Sequence, residues 1–199
     1  MAFGAEAYAE DAIDAEERGW QLAKHFKLHL HPDTMRTRNM ISLDPLPKGV
    51  TIKKVYTDFF EYVYTNTQVY FEQHEYQGAT LWNDLQQNEQ IEFVIAHPNG
   101  WGLHEQSFLR KVAEDAGLTS RQEAGRTLHM IPEAEASVHF VMKEAYLKVC
   151  IESSPQLGSQ NNRVILQPGI DFLVCDAGGS TVDTTLYNVR ALPLYKTIT

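Results

Sequence analysis

From Val50 onward the apolar positions Val55, Phe59, Tyr62, Val63 and Tyr70 recur near one face of a helical period, which predicts a long helix ending around Tyr76–Gly78. The pattern then tightens. "IEFVIAHPNGWG" reads as a five-residue apolar strand closed by a Pro-Asn-Gly turn, and "EQSFLRKVAEDAGL" returns to helix. Phe108, Leu109, Val112 and Ala116 form its inner stripe, with Gly117 as C-cap. "RTLHMI" predicts a short strand, and "PEAEASVHFVMKEAYL" opens on proline and acids as a helix should.

The two ends are patterned differently. "AEAYAEDAIDAEERGWQLAKHF" is rich in helix formers, so a helix is expected through much of Ala5–Phe26, its acids forming a solvated face. "FKLHLHP" predicts a short strand or extended exit, and "RTRNMISLDPLPKG" a loop. "ESSPQLGSQNNRVILQPG" is the most loop-like stretch, around a candidate strand at Arg163–Leu166. "IDFLVCD" and "STVDTTLYNV" predict a β-hairpin turning across Ala177–Gly179. Strands alternate with helices, so the expected class is α/β, with a boundary near Ser153–Pro168.

Composition narrows the functions. The 199 residues carry a net charge of −9, which argues against nucleic acid or an anionic membrane as the main partner. A polyanionic ligand must then be held by backbone N–H groups, a few cations and a metal. No apolar stretch reaches the roughly 20 residues of a membrane span, and the N-terminus is acidic where a targeting peptide is basic. The expected location is cytoplasmic. Cys150 and Cys175 make no disulfide framework; Cys175, inside an apolar run, is expected to be a small buried hydrophobe. His25, His29 and His31 read as surface or structural histidines, and Trp20, Trp82 and Trp101 as packing residues rather than a base-stacking platform.

The chemistry concentrates in "DFLVCDAGGSTVDTTLY". An apolar strand fixes Asp176 at its carboxyl end, where open α/β sheets bind ligands. Gly178 and Gly179 let backbone N–H groups approach a phosphate closely, and Ser180 and Thr181 add hydroxyl donors. Asp176 would face a Mg²⁺ ion through its water shell or orient an attacking water, while Asp183 supports the turn. A tight hairpin turn built from ordinary turn residues explains the same stretch, and both readings stand at this point. The G-K-[ST] ending of a Walker loop is absent.

"CDAGGSTVDTT" closely resembles the second phosphate loop of the superfamily that joins actin, sugar kinases and seventy-kilodalton heat-shock chaperones. "IEFVIAHPNGWGLHEQSFLRKVAEDAGL" is similar to the chaperone branch's strand, turn and following helix, with Pro98 on its turn proline. "LHMIPEAEASVHF" resembles the segment linking the two lobes, with Glu133 on its glutamate, and "AKHFKLHLHP" resembles the "FK-x-x-L" stretch of divergent cytosolic heat-shock-70-like proteins common in fungi and present in animals. These segments span nearly the whole chain in collinear order.

The resemblance implies part of an actin-like ATPase (ribonuclease H-like) fold: a first-lobe region over residues 1–168 and the first hairpin of the second lobe over 169–199. It implies ATP and Mg²⁺ as ligands. Asp176 would be the Mg²⁺/water carboxylate; Gly178, Gly179, Ser180 and Thr181 would cradle the β- and γ-phosphates. Glu133 would be a hinge-side carboxylate and Lys27 the cleft lysine stabilising the transferring phosphoryl group; an ordinary solvated lysine and a helix-N-terminal acid are the plainer alternatives. Ser180 stands where relatives usually have a third glycine. A first phosphate loop is expected before "AFGAEA" and adenosine-binding glycines after "LYNVRALPLYKTIT"; neither lies within the sequence. The chain is therefore expected to be weak or inactive in hydrolysis alone, with a chaperone client or co-chaperone as protein partner. The alternative is a non-enzymatic interaction module on the same fold, and the unpaired edge of the terminal hairpin invites self-association.

Overall fold

The computed structural model describes residues 2–8, 18–140, 168–169, 171–178 and 182–190, Asp183 through its backbone alone. The elements in chain order are the 3-10 helices Gly4–Tyr8 and Phe26–Leu30, then α1 (Asp33–Arg38), α2 (Ile52–His74), α3 (Gly78–Gln87), β1 (Phe93–His97), α4 (Leu103–Asp115), α5 (Ala124–Thr127) and β2 (Leu128–Pro132). Helical residues 133–140 follow as α6, and β3 (Asp171–Ala177) and β4 (Val182–Asn188) close the order. Among the described residues there are two two-stranded sheets, β1 with β2 and β3 with β4.

The chain divides into two compact units: Met1–Ile95 with Gly100–Met130, and Ala96–Asn99 with Ile131–Thr199.

In the first unit, α2 starts where Thr51 Oγ1 accepts the Lys54 amide at 3.2 Å, satisfying one of the helix's orphan donors. Its inward side is an aromatic ladder. Tyr56 is buried edge-on to Phe26 and Phe108, Tyr64 meets Trp82 and Phe93, and Phe71 meets Trp82. The core cluster joins Tyr56 to Leu30, Trp101, Leu109 and Val112. This corrects the expected stripe: Val63 and Tyr70 are exposed, while Tyr56, Phe60, Tyr64 and Phe71 carry the packing. Aromatics occur on nearly every side of α2, so the 3.6-residue period alone does not settle its phase.

On α4, Leu109, Val112, Ala113 and Ala116 are buried, and Gly117 at φ 77° lets the Leu118 amide reach the Ala113 carbonyl at 3.0 Å, as a glycine C-cap should. Arg110 Nη1 donates to the carbonyls of Ala124 (2.8 Å) and Leu128 (3.1 Å), tying α4 to α5 and the start of β2.

Three further expectations are corrected. The helix foreseen over Ala5–Phe26 is a 3-10 turn at Gly4–Tyr8, residues 18–25 are non-helical, and 9–17 lie outside the described residues. Gly19 at φ 67° and His25 at φ 47° break a right-handed helix there. "FKLHL" is 3-10 helix rather than strand: its backbone curls so that the His31 amide bonds the Leu28 carbonyl. Trp20 is 57% exposed and stacks under Arg18, whereas Trp82 and Trp101 are buried as expected. The loop over 153–167, the candidate strand Arg163–Leu166 and the helix beyond residue 140 lie outside the described residues.

Candidate functional site

β3 and β4 are antiparallel neighbours in a register running from Asp171↔Asn188 to Ala177↔Val182. Thr, Val, Tyr and Phe suit this extended backbone, and Asn188 Nδ2 donates to Asp171 Oδ1 at 2.7 Å across its open end. Gly169 adds a backbone bond to the Val189 carbonyl at 2.7 Å. The strand alternation makes two faces. Phe172, Val174 and Asp176 are half-buried with Thr185 and Tyr187, and the Phe172 and Tyr187 rings stack at 5.5 Å. Leu173, Cys175, Val182, Thr184 and Leu186 are exposed on the other face.

Cys175 is thus an exposed free thiol, not the buried hydrophobe its apolar run suggested. A continuous apolar run implies burial on both faces, but alternation along this hairpin places Cys175 beside its exposed partner Thr184. Cys150 lies outside the described residues.

Asp176 is opposite Asp183 in the register, one residue before Ala177 ends β3; Gly178 follows, exposed. Gly179, Ser180 and Thr181 lie outside the described residues. Glu133 is the half-buried first residue of α6 in the same unit as Asp176, the helix position that favours an acid. Lys27 belongs to the first unit, within the 3-10 helix Phe26–Leu30. Of the expected site residues, the described backbone therefore joins Asp176 and Gly178 on one hairpin end.

Mg²⁺ keeps most of its waters and is held by one or two carboxylates plus phosphate oxygens, so one half-buried carboxylate at a strand end is suitable donor chemistry. Among the described residues no group of three His, Cys, Asp or Glu side chains is arranged to hold a metal. His25 Nδ1 instead pairs with Asp44 Oδ2 and His29 Nε2 donates to the Asp44 carbonyl, both at 2.7 Å.

Two features escaped the sequence reading. Asn99, in the turn after β1, donates its side-chain amide to Thr185 Oγ1 on β4; with the two 86 positions apart, no local pattern could show it. The first unit also holds a cavity of about 190 Å³ lined by Tyr64, Phe93, Thr119, Ser120, Glu123 and Thr127. Burial there pushes the Tyr64 phenol up. The cavity's polar groups serve one another: Thr119 and Thr127 share a 2.7 Å hydroxyl bond, Thr127 Oγ1 donates to the Glu123 carbonyl, and the Glu123 carboxylate accepts from Arg126.

No protein-family model matches the chain, and no curated protein or solved structure matches it. No helix among the described residues is long and apolar enough to cross a membrane.

Proposed function

We propose that the chain is part of a cytoplasmic heat-shock-70-like ATPase domain of actin-like fold, and that its terminal hairpin contacts the phosphates of Mg-ATP. The observation supporting this reading is the β3–β4 register, which sets Asp176 beside the turn that Gly178 opens. Asp176 would accept hydrogen bonds from the cation's waters, and Gly178 with Gly179, Ser180 and Thr181 would present N–H and O–H donors to phosphate oxygens. Bound Mg²⁺ would supply charge neutralisation at the transferring phosphoryl group. Glu133, in the same unit as Asp176, is proposed to serve it as a further carboxylate.

A second reading, a non-enzymatic interaction module, is favoured by one observation. Leu173, Val182 and Leu186 are each more than 60% exposed on one face of the hairpin, and no third strand flanks it among the described residues. Such a face suits a protein client, a co-chaperone or another copy of the chain.

Calorimetric titration of Mg-ATP decides between them. With one phosphate cradle the expected affinity is about millimolar, or about −4 kcal/mol. Saturable heat that Asp176→Asn removes supports the ATPase reading. No heat up to about 10 mM, weaker than a single cradle should give, would retire it in favour of the interaction module.

A further inference from the structure

Asn99 sits in the Pro-Asn-Gly turn after β1, and its partner Thr185 lies in the middle of β4. Thr185 is opposite Val174, while Asp176 is opposite Asp183, two residues back along β4. Residues directly opposite in an antiparallel pair share a face, and alternate residues of a strand share it too. Thr185 and Asp176 are therefore diagonal neighbours on the half-buried face, with Cα atoms about 7–8 Å apart in standard geometry.

The polar groups there are only partly used. A threonine hydroxyl can donate once and accept twice, so accepting from Asn99 leaves the Thr185 O–H available to donate. Asn99 Oδ1 is buried and accepts no hydrogen bond from any described residue. A buried amide oxygen in that state calls for an explanation, because desolvating it without a donor is unfavourable. A polar side chain kept in place against that cost points to the one bond its amide does make, to Thr185.

We infer that Asn99 is a positioning residue of the Asp176 site, resting on the nucleotide reading above. It holds the Thr185 hydroxyl in place on β4, diagonal to the register position of Asp176. In the sequence Asn99 is only a turn residue, since Pro-Asn-Gly explains itself by backbone preference. The cross-strand link gives its side chain a second task.

The test compares Mg-ATP binding, by calorimetry, in wild type, Asn99→Ala, Thr185→Val, Thr185→Ser and the Asn99→Ala/Thr185→Val double variant. Thermal melts of each variant run alongside. Positioning predicts that Asn99→Ala and Thr185→Val each weaken binding by roughly three- to tenfold, the worth of one hydrogen bond. Thr185→Ser should bind like wild type, and the double variant no worse than the weaker single. A role in strand packing alone predicts the reverse order, because valine suits a strand at least as well as threonine and serine less well. Wild-type-like binding by Thr185→Val, or equal loss in Thr185→Ser, overturns the inference and leaves the nucleotide reading standing. A wild type that binds no Mg-ATP overturns both.

Discussion

The indole N–H of Trp101 donates to Nδ1 of His31 at 2.7 Å, and the two rings meet edge-on with centroids 5.7 Å apart. Both residues are buried, and 70 positions separate them in the chain. Indole is a donor only, so His31 must accept, which puts the proton of the neutral ring on Nε2. The bond ties the end of the Phe26–Leu30 helix to the segment entering α4. Trp101→Phe keeps most of the apolar ring but withdraws the donor from a buried acceptor. We expect a loss of about 1–3 kcal/mol in urea denaturation, beyond the small volume change. The Trp101→Phe/His31→Leu double variant should lose less than the sum of the singles, because the two share one interaction.

Gly78 and Gly125 separate two glycine roles cleanly. A Cβ at Gly78 would lie 2.7 Å from the carbonyl oxygens of both Phe71 and Glu72, where the last turn of α2 meets the first of α3. Those atoms are backbone and cannot swing aside. Gly78→Ala should therefore destabilise by about 1–3 kcal/mol, as overpacking does. At Gly125, inside α5, a Cβ would meet nothing within 4 Å. Gly125→Ala should be neutral or stabilising by up to about 1 kcal/mol, because alanine restricts the unfolded chain and favours helix. Parallel melts of the two variants would check both signs.

How far the sequence could be read depended on whether each feature had a local cause. Gly117 after α4 and the Pro-Asn-Gly turn after β1 act over a few residues, and both mark element ends in the structure. α3 went unread because "GATLWNDLQQ" has few apolar positions, and its N-cap is a left-handed Gln77 that makes no capping side-chain bond. The phase of α2 was not legible. Val63 and Tyr70 fit the same period as Tyr56 and Phe71, and only Trp82, Phe93 and Phe108, arriving from distant elements, select the buried side. At the candidate site the strand, Asp176 and the hairpin pairing follow from alternation and glycine chemistry. Asn99 depends on a long-range contact that no window of sequence contains.

Glu105 makes the stability of α4 depend on pH. It stands at the third position of the helix, where Oε2 accepts the Gly102 amide at 2.8 Å, closing the N-terminus. Burial pushes its carboxyl up, but the backbone N–H groups of Glu105 and Gly102 and the neighbouring His104 outweigh that, so it titrates below the ordinary carboxylate range. A folded-state value below the unfolded one means stability that is present above the unfolded value. That stability is lost as pH falls through the folded one. Glu105→Gln keeps the shape and an acceptor while removing the charge. Wild type should exceed it by about 0.5–1 kcal/mol at pH 7, with the gap closing below the ordinary carboxylate range, as followed by denaturant melts across pH.

The Cys175 thiol reports on the face that the second functional reading needs. It lies between exposed Leu173 and Ala177 on β3, opposite Thr184, with Leu186 and Val182 flanking on β4. In a Cys150→Ser variant, which isolates this thiol, a thiol reagent in native buffer should modify it fully, within about tenfold of the rate in denaturant, since access rather than unfolding limits the reaction. Labelling that slows as protein concentration rises, with wild-type rates restored on dilution, is expected if the apolar face joins two copies. Leu173→Lys should then abolish the slowing by setting a charge on the contact. Slow labelling at every concentration would mean instead that the face is covered within the folded chain, and the interaction reading would lose the one observation that favours it.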